Sequence, residues 1–340
     1  MDDLNGIIPK ISETIFEKVS MFPDKTQLAI AVIKNEKTNY YGFIKENNNL
    51  SNVQNEDKIF EVGSITKVFT ATVLADLVVK NKLELDTNIQ QYFDFPFKDK
   101  TKISLLSLAN HTSGLRSHPT NFDTSIENLI NFYKEYDEDM MKDYLQYSLQ
   151  LTSADENRYE YSNFGGGLLS YVLELSQKQS FKELLQQKVF DKYKMSNTYM
   201  DRSNLKNELV IGLDKNGTEA ENWDFDILFG AGGVLSSVRD LSKFVSAHFV
   251  ESDKELALTR QATYTVDDEM KVGLGLHIIK IDDNNEVYWH NGGTGGYKAS
   301  MVFNIETKSA AIILSNISVF NPDHMNIDSL CVKLNSMLNE

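Results

Sequence analysis

The chain has a single cysteine in 340 residues, Cys331, which excludes an intrachain disulfide and a cysteine-built metal centre. Cys331 falls in an apolar-periodic stretch near the C-terminus and reads as a small core residue. There are only 5 prolines and no low-complexity segment or internal repeat, so nothing marks a linker. Positive charge is scarce: Lys+Arg 34 against Asp+Glu 49 leaves a net charge of −15. Such a chain repels phosphate backbones and anionic headgroups, so no nucleic-acid partner is expected. No apolar run approaches the roughly 20 residues of a bilayer span, and stable membrane insertion is not expected either. The opening "MDDLNGIIPK" has neither the basic flank nor the apolar core of a secretion signal. The 6 histidines show no His-x-His or His-Glu-x-x-His spacing, so no metal and no other cofactor is indicated.

What is present is a chain able to bury one large core or two modest ones. Its periodicity changes along its length. "QLAIAVIKNEKTNYYGFIKE" reads as two strands around a turn at "KNEKTN". From Ile65 the spacing becomes helical, with Val68, Phe69, Thr72, Leu74, Ala75, Val78 and Val79 on a broad apolar face. A helical middle follows, in residues 124–150, 165–177 and 180–193, and "GAGGVLSSVRDLSKFVSAHF" adds a helix with a glycine-rich entry. Strand signals then return in "VGLGLHIIKI", "EVYWHN", "YKASMVFNI" and "SAAIILSNI", with a turn at residues 282–285, and a last helix spans 324–339. Hairpins at both ends with helices between predict an α+β fold: one antiparallel sheet built from N- and C-terminal strands, flanked by helices, with an inserted all-helical subdomain.

Three fragments carry chemistry. In "FEVGSITKVF", Ser64 and Lys67 lie three apart at a helix start and share a face. Free N–H groups in a first helical turn favour negative charge, so a serine there can be acylated with its oxyanion held by those donors. A buried lysine beside it can lose its proton and act as base. The pattern alone is weak, because Ser203 and Lys206 fit it too, and taken by itself it is more simply a capping serine with a snorkelling lysine. In "RYEYSNFGGG", Tyr161 and Asn163 form the only Tyr-x-Asn among 15 tyrosines. A phenol there can relay a proton and an amide can orient the lysine; a Ser/Asn turn before a glycine-entered helix is the alternative. In "WHNGGTGGYKAS", His290, Gly292 and Gly293 end a strand whose backbone can approach a substrate closely. The alternative is a glycine-rich hairpin loop with an exposed histidine.

Together, in this order, the fragments resemble the serine β-lactamase and penicillin-binding-protein superfamily, and within it the branch of class C β-lactamases, DD-peptidases and related esterases. The similarity runs from "QLAIAVIKN" to "AAIILSN" and includes "LLSLANHTSGL", "VFDKYKMSNTYM" and "GAGGVLSSVRDLSKF". The resemblance implies a discontinuous α/β domain over 1–85 and 215–340, a helical domain inserted over 86–214, and an active site at their interface. It implies Ser64 as nucleophile, Lys67 as its activating partner and Tyr161 as acid/base, with Asn163, His290, Gly292 and Gly293 orienting substrate. The N–H groups of Ser64 and Gly293 would form the oxyanion hole. The third motif departs from class C β-lactamases, which have Lys-Thr-Gly where this chain has His290-Asn291-Gly292. A fixed cation is thereby replaced by a mostly neutral histidine, and a hydroxyl donor by an amide. The expected activity is therefore that of a serine hydrolase working through an acyl-enzyme on a small ester or D-amino-acid peptide. A β-lactamase and a slowly deacylating penicillin- or peptidoglycan-binding protein are the rivals. Protonation of His290 toward pH 6 is expected to raise any weak β-lactam reactivity. Export to the periplasm or cell surface rests on the resemblance alone, and the sequence is silent on oligomeric state.

Overall fold

The computed structural model describes residues 13–339, apart from 123–130, 153–157, 206–207 and 283–284. The N-terminal strands β1 (Gln27–Lys34) and β2 (Lys37–Glu46) form a hairpin whose two turn residues, Asn35 and Glu36, both have positive φ, 50° and 65°. That is the conformation a two-residue turn needs to match strand twist, and it makes the turn tighter than the sequence suggests. β3 (Asn49–Asn52) extends this edge, while β4 (Phe60–Glu61), β5 (Thr198–Tyr199) and β6 (Leu235–Ser236) make a small second sheet. β7 (Tyr264–Thr265), β8 (Met270–Val272), β9 (His277–Asp282), β10 (Asn285–Gly293), β11 (Lys298–Asn304) and β12 (Ser309–Ser315) complete the large one. Its order is β3-β2-β1-β12-β11-β10-β9-β8-β7, with every neighbouring pair antiparallel. The two ends of the chain meet where β1 pairs with β12, Ile30 opposite Ile313. Of the turn expected over 282–285, residues 283–284 lie outside the described set.

Both faces of the central strands are buried, and the alternation of side chains sorts them into two cores. Ala29, Ala31, Ile33, Met301, Phe303, Ile312 and Leu314 face a core shared with the helix Thr66–Val79. Leu28, Ile30, Val32, Val302 and Ile313 face the C-terminal helix Met325–Met337, where Cys331 is fully buried beneath Leu330 and Leu334. The helix Thr66–Val79 is buried from Thr66 through Leu77, on every side rather than on one face. Phe69 packs edge-on against Phe190 and Phe244, with ring centroids 5.9 and 4.9 Å away. Burying one such ring stabilises the fold by roughly 1.5–3 kcal/mol, so the element that begins beside Ser64 is firmly anchored.

The middle of the chain is less regular than its periodicity predicts. Of the helix expected over 124–150, residues 124–130 are outside the described set; the remainder is a helix at Glu138–Asp143 followed by a wide turn, Tyr144–Ser148. Likewise Phe181–Leu185 passes into a wide turn at Gln186–Phe190. Helical spacing of apolar residues reports one buried face, and these widened turns keep that face while breaking the regular ladder. The helix Asn163–Gln177 agrees with the expectation, whereas the glycine-rich 230–234 stretch is a separate turn and strand before the helix Val238–Ala247.

Candidate active site

Ser64 sits in a single 3-10 turn, Gly63–Ile65, that leads into the buried helix at Thr66. Neither helix has a side-chain cap, so capping does not explain this serine. Gly63 has φ +50°, in the left-handed region open to glycine. The turn lies directly against the end of β10: a Cβ on Gly292 would come within 1.9 Å of Val62 O and 2.8 Å of Ser64 N. A Cβ on Gly63 would meet the Gly293 N at 2.6 Å. Only paired glycines let the backbones of 63–64 and 292–293 approach this closely, with Gly293 N against Gly63 and Gly292 against Ser64 N. The other Ser-x-x-Lys is unlike this one: Ser203 is exposed in a surface turn, and Lys206 is outside the described residues.

Lys67 Nζ lies 3.0 Å from Ser64 Oγ, 2.7 Å from Asn163 Oδ1 and 2.8 Å from Ala231 O. The side chain is 3% exposed with no carboxylate partner among the described residues, and burial pulls its pKa down from 10.5 to about 7. At neutral pH a large share of the amine is therefore uncharged. Its stem packs against Gly166, where a Cβ would come within 2.8 Å of Cε.

Tyr161 and Asn163 flank the start of the helix Asn163–Gln177, with Ser162 as its cap: Gly165 N donates to Ser162 Oγ at 2.8 Å. The Tyr161 ring lies 5.0 Å from Lys67 Nζ. Burial pushes the Tyr161 phenol well above its usual range, against a hydrogen bond with Ser64. The phenol thus keeps its proton where the lysine can lose it. His111 fixes this segment from behind, accepting a hydrogen bond from Ser162 N at Nδ1 (3.2 Å) and packing 4.4 Å from the Tyr161 ring.

The third motif divides between the two faces of the sheet. His290 is buried rather than exposed, 1% accessible, with its ring 6.3 Å from Tyr161 and 5.3 Å from His277. Nδ1 bonds the Asn291 carbonyl at 2.6 Å, and since a carbonyl only accepts, this nitrogen carries the proton. Burial, then the neighbouring His277 and Lys67, hold its pKa well below 6.5. The expectation that His290 gains charge toward pH 6 is thereby corrected: its burial disfavours the charged ring. Asn291 alternates to the opposite face, where its amide donates to Asp328 of the C-terminal helix at 2.9 Å. It does not take the place of a hydroxyl beside Ser64.

The structure adds groups that the motifs omit. The Ala231 carbonyl on Lys67 comes from the 230–233 glycine-rich turn, and Gly166 from a run of three glycines; both runs are visible in the sequence, but not their target. Tyr159 bonds His277 Nε2 at 2.8 Å, and Tyr133 hydrogen-bonds Asn163. Neither carries a sequence signal beyond its residue type.

The family model described as Beta-lactamase matches residues 21–330, and the chain belongs to that family. A β-lactamase of Pseudomonas fluorescens is 26% identical over 359 aligned positions, spanning 94% of this chain and 96% of that protein. A β-lactamase of Psychrobacter immobilis is 24% identical, with 68% of this chain matched to 56% of that one, so the match covers little more than half of its length. A β-lactamase/D-alanine carboxypeptidase structure from Pseudomonas syringae superposes with a TM-score of 0.78 at 21% identity, covering 96% of this chain and 98% of that one. The fold is that of the β-lactamase and DD-peptidase group, whose members are serine hydrolases.

Proposed function

We propose that this protein is a serine hydrolase that works through an acyl-enzyme on Ser64, acting on small neutral esters or D-amino-acid peptides in preference to β-lactams. The observation that carries the reading is a buried lysine, with its pKa near 7, placed 3.0 Å from the Ser64 hydroxyl. Neutral Lys67 takes the Ser64 proton as Oγ bonds the acyl carbon, and the carbonyl electrons move onto oxygen. The N–H groups of Ser64 and Gly293 hold that oxyanion. Collapse of the intermediate breaks the bond to the leaving group, which takes a proton from the Tyr161 phenol; Lys67 returns one to the phenol. Water then repeats the sequence on the ester. Asn163 keeps Lys67 aimed, and Gly292 and His290 line the β10 side. In this reading the site lies where the terminal α/β portion (1–85, 215–340) meets the helical one (86–214).

A β-lactamase is the second reading, favoured by the designations of the relatives. Against it stands a neutral His290 where a fixed cation would meet a β-lactam carboxylate. Intact-mass spectrometry with p-nitrophenyl butyrate and with a cephalosporin separates the readings. A transient +70 Da butyryl adduct on wild type, about the mass such an ester adds, and none on Ser64→Ala is expected. A lasting cephalosporin adduct with no ester turnover would identify a slow binder instead.

A further inference from the structure

Three residues before Ser64, β4 carries a carboxyl that the proposed reaction leaves unused. Glu61 pairs with Leu235 of β6 and is 4% exposed. Its Oε1 accepts hydrogen bonds from Asn222 Nδ2 at 2.7 Å and Trp223 N at 3.1 Å. Asn222 Nδ2 also donates to the Tyr297 hydroxyl at 3.1 Å, which donates onward to Val210 O. Oε2 has no direct hydrogen bond, and neither has the buried hydroxyl of Thr294. The two are near neighbours, close enough for the hydroxyl to favour the carboxylate. Thr294 directly follows Gly293, whose N lies against Gly63 in the turn that bears Ser64.

A carboxyl with two donors on one oxygen and a hydroxyl facing the other has two settings. Ionised, Oε2 only accepts, and Thr294 must donate. Protonated on Oε2, the acid donates to Thr294 Oγ1 and carries no charge. We infer that Glu61 is a positioning residue: a proton-operated clamp that holds Thr294, and with it the Gly293 N–H, against the turn bearing Ser64. Protonated, the clamp closes with no charge near the oxyanion. Ionised, it sets a negative charge on the strand leading into Ser64, opposing the oxyanion that forms there. Burial raises the carboxyl to about 7, against the neighbouring Thr294 hydroxyl, the bonds from Asn222 and Trp223, and the charge of Arg202. Arg202 is itself paired with Asp224, and burial keeps the neighbouring Tyr297 phenol protonated, so neither group pins Glu61 in one form.

The catalytic consequence rests on the Ser64 acyl-enzyme reading; the clamp has a readout of its own. The chain has only two tryptophans, Trp223 and Trp289, so Trp289→Phe leaves Trp223 as sole reporter on the carboxyl its N–H bonds. Its fluorescence should titrate with a midpoint within about one unit of pH 7 and become flat once Glu61→Gln is added. Glutamine accepts from Asn222 and Trp223 and donates to Thr294, reproducing the protonated clamp. Acylation by p-nitrophenyl butyrate should be bell-shaped with pH in wild type, rising with Lys67 and falling with Glu61. In Glu61→Gln the falling limb should vanish, leaving acylation at pH 9 at least about tenfold above wild type. A falling limb unchanged by Glu61→Gln, or a Trp223 transition that survives it, overturns the inference. If no ester labels Ser64 at any pH in either protein, the acyl-enzyme reading fails, and the fluorescence alone decides: a transition abolished by Glu61→Gln upholds the clamp, and its absence in wild type refutes it.

Discussion

Lys67 and His290 show burial acting twice on ionisable groups in one site, with opposite consequences. For Lys67, desolvation makes a base from a group that is ordinarily charged. Because its pKa is lowered to about 7, the neutral form grows as pH rises, so the rising limb of ester acylation should follow Lys67 through that region. In Glu61→Gln, where the falling limb is removed, acylation should rise and then level. Arginine keeps the charge and cannot lose it. Lys67→Arg should therefore be nearly as damaging as Lys67→Ala, each losing on the order of 10²–10⁴ in kcat/KM for p-nitrophenyl butyrate. An arginine variant with most of the wild-type rate would reduce Lys67 to a fixed charge. For His290, desolvation removes a charge that a β-lactam carboxylate would seek. The cephalosporin-to-ester ratio of kcat/KM should accordingly stay flat between pH 6 and 8. His290→Lys should move it toward the cephalosporin by about one to two orders of magnitude, the worth of one charge-assisted contact. A ratio that climbs as pH falls would mean that His290 protonates after all.

At the scale of elements, the site depends on how closely a turn and a strand end can approach. Gly63–Ile65 and the end of β10 touch through backbone, and a Cβ at position 292 would collide with Val62 O at 1.9 Å. Backbone cannot swing aside as a flexible side chain does. Gly292→Ala should push β10 from the serine turn and separate the two N–H groups on the proposed oxyanion, costing about 10²–10³ in kcat. Thermal melting and steady-state ester kinetics on the same preparation check this: a folded variant with wild-type kcat would show that this contact does not set the site. The serine helix enters the same argument from the other side. It is buried on all sides from Thr66 to Leu77, so Ser64 and Lys67 cannot shift without disturbing the core.

Across the whole molecule, the sheet has the helix that follows Ser64 on one face and the C-terminal helix on the other. The second face has its own polar tie: Lys298 Nζ lies 2.7 Å from Asp328 Oδ2, which also accepts from Asn291, and both charged groups are nearly inaccessible. Removing one partner strands the other charge. Asp328→Ala should cost roughly 3–5 kcal/mol in urea unfolding, while Lys298→Met with Asp328→Leu should recover most of it. Ester kcat in the folded double variant should stay within about threefold of wild type, because the opposite sheet face carries the proposed chemistry. A double variant no more stable than the single one would show that the ion pair contributes more than its burial costs.

The residue types and short spacings of Ser64-x-x-Lys67, Tyr161-x-Asn163 and His290-x-Gly292 were legible in the sequence because each is a local pattern. So were the terminal strands and the long helices, whose periodicity records which face is buried. The wide turns at 144–148 and 186–190 were not, since they keep that periodicity while altering the ladder. The direction in which the pKa values of Lys67, His290 and Glu61 move comes from tertiary structure alone. Each depends on burial by the packed fold and on partners far away in sequence: hydrogen bonds to Asn163 and Ala231 at Lys67, the rings of His111 and His277 beside His290, and at Glu61 the bond from Asn222 and the neighbouring Thr294 hydroxyl, which oppose burial. Sequence determines which groups can carry a proton; only the packed fold fixes the dielectric surroundings and partners that decide whether they do.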